Sequence, residues 1–187
     1  MLFRSLRDRP VTAEPVDLFG YAEATRNTQA HRAGGGTDQW LTPPGILASL
    51  GLFDLDPCAA PEPRPWPTAA THYTPVEDGL RQPWHGRCWV NPPYSAIGLW
   101  LSKLADHGTG TALIFARTET AAFRQQVWGR ATALRFLYGR IVFHSTDGRP
   151  GKWNGGAPSV LVAYGDADAD ALADADLPGA YVRGWSA

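Results

Sequence analysis

The sequence predicts one α/β domain, built on an open and mostly parallel sheet that ends in an antiparallel C-terminal hairpin. Three observations carry this reading. Apolar residues fall in short runs between Gly and Pro clusters, in a chain with 20 Gly, 16 Pro and 8 Trp, which argues against a helical bundle. Strand-like runs alternate with segments at helical spacing as far as Val127. From Leu134 onward, strand-like runs follow one another without a helix between them. At 187 residues the chain can bury one sizeable core but not two ordinary domains.

The elements are expected in this order. Residues 1–36 mix Arg, Pro and polar residues and end in Ala33-Gly34-Gly35-Gly36, so they read as a partly disordered arm. The main domain spans residues 37–165. A short helix starts at Trp40-Leu41-Thr42-Pro43-Pro44, with Thr42 as its cap and Pro43 at its first position. Phe53 to Pro57 is a short strand, and five prolines between Pro61 and Pro75 make the next stretch an elaborate loop. Cys88-Trp89-Val90 is a buried strand. It ends at Asn91-Pro92-Pro93-Tyr94, after which Ile97, Trp100, Leu101 and Leu104 recur at helical spacing. Thr111 to Ala116 is a further strand, followed by a helix with Phe123 and Val127 on one face. Leu134 to Tyr138, Arg140 to Phe143 and Ser159 to Tyr164 complete the hairpin region. Residues 166–187 form an acidic Asp/Ala-rich tail, either a frayed helix or a solvated segment.

Composition bounds the function classes. No apolar stretch approaches the roughly 20 residues of a membrane span, and Met1 to Pro10 carries three Arg without an apolar core, so a cytoplasmic protein is expected. Cys58 and Cys88 are far apart without ligand-like spacing, so neither a zinc site nor a disulfide framework is indicated. The net charge of −1 conceals a body of +3 over residues 1–165, because the last 22 residues hold five Asp and one Arg. Such a body can bind nucleic acid through a local patch but lacks a strongly basic signature.

Chemistry concentrates at Asn91-Pro92-Pro93-Tyr94, just beyond a hydrophobic strand, where open α/β sheets place their ligands. An amino group conjugated to an aromatic ring has a delocalised lone pair and is a poor nucleophile. The amide oxygen of Asn91 and the carbonyl of Pro92 can accept its two hydrogens, pulling the nitrogen towards tetrahedral geometry so that it can attack a sulfonium methyl. The prolines hold that carbonyl rigid, and Tyr94 offers a ring face for an extruded base. A turn that merely contains these four residues is the alternative.

The series Thr42-Pro43, Phe53-Asp54-Leu55-Asp56-Pro57-Cys58-Ala59, Glu77-Asp78-Gly79-Leu80, Trp89 to Tyr94 and Ala116-Arg117-Thr118-Glu119-Thr120 resembles the phage-type DNA N6-adenine methyltransferases, over roughly residues 38–164. The resemblance implies a Rossmann-like, S-adenosylmethionine-dependent catalytic domain in a bacterial host cell, encoded by phage or prophage. It implies cofactor contacts from Thr42, Pro43, Asp56, Pro57, Cys58 and Ala59, with Asp78 on the cofactor adenine or in a plain surface turn. Asp-Pro-Cys-Ala stands where general methyltransferases carry a glycine-rich turn. Catalysis would fall to Asn91, Pro92, Pro93 and Tyr94, without a metal. Phe143 would stack on the flipped base opposite Tyr94, or else fill a hairpin core. From the residues themselves, Arg117 closes a buried strand, a costly place for a charge unless it meets Glu119 or DNA. The Ser145 to Ala157 loop, with Arg149, Lys152, Trp153 and Asn154 among glycines, suits DNA contacts or is a mobile surface loop. The substrate implied is adenine in double-stranded DNA, with restriction, protection from restriction and regulation as the open alternatives for its role. Rival readings are an amino-methyltransferase for RNA or protein glutamine, and a non-catalytic DNA-binding relative.

Overall fold

The computed structural model describes residues 21–22, 40–151 and 156–186. Most of the expected N-terminal arm, and Lys152, Trp153 and Asn154, lie outside the described residues. Among the described residues, nine strands and three α-helices occur in the order β1 (Tyr21–Ala22), α1 (Pro44–Leu50), β2 (Leu55–Asp56), β3 (Thr71–His72), β4 (Cys88–Val90), α2 (Ile97–His107), β5 (Gly110–Phe115), β6 (Ala133–Leu137), β7 (Arg140–Ile141), β8 (Ser159–Tyr164), α3 (Asp166–Asp174) and β9 (Gly179–Arg183). A 3-10 turn (Tyr94–Ala96) leads into α2, and a π-helix (Phe123–Trp128) follows β5.

Seven strands form one sheet in the order β3-β2-β4-β5-β8-β6-β9, while β1 pairs with β7 apart from it. The ladders from β3 through β5 are parallel, and those from β5 through β9 are antiparallel. The mostly parallel sheet expected from the sequence is therefore corrected. The antiparallel ladders are the longer ones, because β8 inserts between β5 and β6 and turns one parallel contact into two antiparallel ones. The C-terminal hairpin is likewise redrawn: β6 pairs with β8 and β9, and β7 leaves the sheet to pair with Tyr21–Ala22.

Side-chain alternation divides the core into two layers. Trp89, Leu113 and Leu161 pack with α1 and α3 on one face; Cys88, Val90, Ile114 and Val160 pack with α2 and the π-helix on the other. Full burial of each Leu or Ile contributes roughly 1.5–3 kcal/mol, so the sheet is held from both sides. Helix α2 buries Trp100, Leu101 and Leu104 and stops at Gly108, whose φ of 79° lets its N–H reach the Leu104 carbonyl. Helix α1 starts one residue later than expected, with Pro43 before it and Pro44 inside its first turn.

Residues 166–186 do not form a solvated tail. Asp166 and Asp168 complement the N-terminal end of α3, Ala169 and Leu172 enter the core, and β9 covers the edge of β6. Of the two readings of this segment the structure shows a helix, and long-range partners neutralise its alternating Asp: Arg87 meets the fully buried Asp168 at 2.8 Å, and Arg183 meets Asp166 and Asp170 at 2.6 Å each.

Candidate active site

Because β2, β3, β4 and β5 run parallel, their carboxyl ends share one rim of the sheet. That rim receives Asp56 and Pro57 from β2, Asn91 from β4, and Ala116 and Arg117 from β5. Leu41 to Pro43, before α1, arrives beside it through a backbone pairing between Leu41 and His144.

Asn91 is anchored by its amide nitrogen. Its Nδ2 donates to the Trp40 carbonyl at 3.3 Å and to Thr42 Oγ1 at 3.4 Å. The Trp40 carbonyl can only accept, so the amide is oriented with Oδ1 away from this pair. Among the described residues no hydrogen bond takes up Oδ1. Thr42 is buried and does not cap α1; its hydroxyl serves Asn91 instead, and its carbonyl accepts Trp66 Nε1 at 3.2 Å. Pro92 is buried, and Pro93 is extended at φ −61° and ψ 134°, which suits the entry into the 3-10 turn.

Asp56 is buried beside this clamp. One carboxylate oxygen accepts the Cys58 N–H at 3.0 Å, and the other accepts the Thr68 hydroxyl. Burial pushes its pKa from 3.8 to about 6, against the pull of these two hydrogen bonds. Among the described residues Asp56 makes no ion pair. The Cys58 thiol neighbours the Asn91 backbone, and burial followed by the nearby Asp56 charge pushes it well up, so it stays protonated. Ala59 is buried, with its N–H on the Tyr73 carbonyl at 3.0 Å.

Asp78 sits in an exposed turn at φ 54° and pairs with Arg81 at 3.3 Å. Its neighbour Gly79 lies directly on the Asp56 turn: a Cβ there would come within 1.9 Å of the Pro57 carbonyl oxygen. The structure thus brings Thr42, Asp56, Cys58 and Asn91 together and seats the Asp78 turn against them.

Tyr94 is half-exposed and stacks on Phe115, with centroids 4.3 Å apart and planes inclined by 12°. Both line a cleft of about 450 Å³ with Ile97, Leu101, Arg117 and Phe123. Asn91 does not line this cleft. Arg117 does not close a buried strand, because β5 ends at Phe115 and Arg117 is exposed. Among the described residues it makes no ion pair with Glu119. Phe143 packs against the core layer beneath α1, and among the described contacts none joins it to Tyr94.

Sequence reasoning missed Trp40, Trp66, Thr68 and Lys103. Trp66 and Thr68 lie in the proline-rich loop, where no periodicity signals that an indole and a hydroxyl turn inward. Lys103 lies on α2 and donates to the carbonyls of Gly79, Leu80 and Gln82. No local pattern announces that contact.

No curated protein and no solved structure matches the chain. Residues 29–171 match the model of the family described as DNA N-6-adenine-methyltransferase (Dam). That match covers well over half of the 187 residues and spans the whole rim described above. The chain therefore belongs to the DNA N-6-adenine-methyltransferase (Dam) family.

Proposed function

We propose that this chain methylates the exocyclic N6 of an adenine extruded from duplex DNA, using S-adenosylmethionine as donor. The single observation that carries the reading is the anchored Asn91 amide, whose nitrogen is fixed by Trp40 and Thr42 while Oδ1 takes no hydrogen bond from the described residues. The donor set fits the cofactor: Asp56 is a buried carboxyl that forms no ion pair among the described residues, and a cationic molecule is what would restore its charged form. When bound, S-adenosylmethionine supplies an electrophilic methyl group on a positive sulfur. Asp56, the Pro57 to Ala59 turn and Thr42-Pro43 would hold it, with Asp78 at the adenosine end.

The chain's own residues do the rest. Asn91 Oδ1 and the Pro92 carbonyl accept the two N6 hydrogens, which localises the nitrogen lone pair. Pro92 and Pro93 fix that carbonyl without requiring partners for amide hydrogens. Asn91 is neutral and accepts no proton, so the proton released from N6 passes to solvent. Tyr94, at the mouth of an apolar cleft, offers its free ring face to the unstacked base, and aromatic contact offsets the few kcal/mol that unstacking costs. Arg117, exposed at the rim, suits a phosphate of the same strand.

Incubation with labelled S-adenosylmethionine and mixed DNA, RNA and protein acceptors tests this directly. Label should appear in N6-methyladenine from duplex DNA; label in RNA or glutamine alone would redirect the substrate. Asn91→Ala should lower turnover by about 10²- to 10³-fold and leave cofactor affinity within a few-fold. Equal loss of both would remove Asn91 from the chemical step.

A further inference from the structure

Residues 78–82 lie between β3 and β4 and belong to neither strand. Their backbone carbonyls need partners, and the partner comes from a helix on one face of the sheet. Lys103 Nζ lies 3.2 Å from the Gly79 carbonyl, 2.7 Å from that of Leu80 and 2.6 Å from that of Gln82. An ammonium has three N–H donors, and here all three are used by one loop. Trp84 adds to the same junction: its Nε1 donates to the Gly79 carbonyl at 2.8 Å, and its ring lies 5.2 Å from the ammonium. A lysine on a helix flank ordinarily extends its charge into water. Lys103 turns inward and is only part-exposed.

What this tether holds is specific. Gly79 presses on the Pro57 carbonyl so closely that no Cβ fits, which fixes the Asp78 turn on the Asp56 to Cys58 turn. Helix α2, which carries Lys103, begins immediately after the Asn91 to Tyr94 turn and the 3-10 turn that follows it. One rigid element therefore connects the amine clamp at its start to the Asp78 loop at its middle. We infer that Lys103 is a positioning residue for methyl-donor binding, holding the Asp78 loop against the Asp56 turn at a set distance from Asn91. The inference rests on the cofactor reading of Asp56 and Asp78 given above.

The test compares the full-length wild type with Lys103→Met, Lys103→Arg and Asp78→Ala. The readouts are S-adenosylmethionine affinity by calorimetry, duplex DNA affinity, and amide hydrogen exchange over Gly79 to Gln82 in the free protein. Lys103→Met should weaken S-adenosylmethionine by at least about tenfold, speed exchange in that segment, and leave DNA affinity within about twofold. Lys103→Arg, which can still donate to several carbonyls, should remain within about threefold of wild type. If Lys103→Met does not fold, Lys103→Gln, with two donors on one nitrogen, should give an intermediate loss; wild-type affinity there overturns the inference. Equal loss of donor and DNA affinity in both the Met and Arg variants also overturns it, because that is the signature of general destabilisation. Weakened binding in Asp78→Ala beside unchanged binding in Lys103→Met sinks this inference alone. A wild-type chain that does not bind S-adenosylmethionine sinks the cofactor reading and this inference together.

Discussion

At Asp56 two effects oppose each other, and burial wins. The Cys58 amide and Thr68 hydroxyl favour the carboxylate, yet desolvation carries its pKa up to about 6. The folded chain thus holds this proton more tightly than the unfolded chain, whose carboxyl titrates near 3.8. Stability from this group is full below about pH 4, falls as pH rises towards 6, and is lost above it, a change of roughly 3 kcal/mol. Asp56→Asn keeps an oxygen for Cys58 and presents an N–H to Thr68 without the charge. Urea denaturation should find it about 1–3 kcal/mol more stable than wild type at pH 8, with the gap closing near pH 4. A variant less stable at both pH values would show that Asp56 is not charge-strained. If the carboxylate faces the cationic donor, wild-type affinity for S-adenosylmethionine should fall below pH 6, and the Asn variant should lose both the affinity and its pH dependence. The Asp56 position was legible as a carboxylate at a strand end. Its environment was not, because its hydroxyl partner Thr68 comes from a loop without periodicity.

Elements with strong local signals emerged where the residues placed them. Trp100, Leu101 and Leu104 line the buried face of α2, and Phe123 and Val127 both enter the core, although the helix carrying them is π-helical. The elements missed or left open are those whose signal is tertiary. Strand β3 is only Thr71–His72 and gains its identity by pairing with Leu55–Asp56. In the sequence helix α3 is only one of two readings of an acidic, polar run, and its C-terminal end is organised by a buried cation on β6. Arg135 donates to the carbonyls of Leu172 and Leu177 at 2.8 Å each and of Ala173 at 3.0 Å. These carbonyls carry the negative end of the helix dipole or lie just past it, so Arg135 needs no carboxylate partner. Arg135→Met preserves the stem's packing and removes all three donors. It should cost about 3 kcal/mol in chemical denaturation, with methyl transfer per folded molecule unchanged. A loss under about 1 kcal/mol would mean that water replaces the guanidinium and that α3 does not depend on it.

For the whole molecule, the question is whether residues 166–187 belong to the fold or trail from it. An acidic tail would be removable, and its loss would raise the net charge without touching stability. The structure requires the opposite. Ala169, Leu172, Ala175 and Leu177 share a core layer with Trp89 and Leu161, and β9 pairs with β6 along its length. Arg87 pairs its guanidinium with the buried Asp168, which also accepts the Thr111 hydroxyl at 2.9 Å. Removing the segment exposes two leucines' worth of core surface at roughly 1.5–3 kcal/mol each, leaves Arg135 without the carbonyls of Leu172, Ala173 and Leu177 and Arg87 without the Asp168 carboxylate, and opens a strand edge. Those losses together approach the whole stability of an ordinary domain, about 5–15 kcal/mol. A chain ending at Gly165 should therefore show no cooperative thermal transition and should aggregate on size exclusion, although every residue of the candidate site remains. A monomeric, cooperatively melting product would mean that the sheet closes at β6 and that the rim bearing Asn91 stands without its C-terminal support.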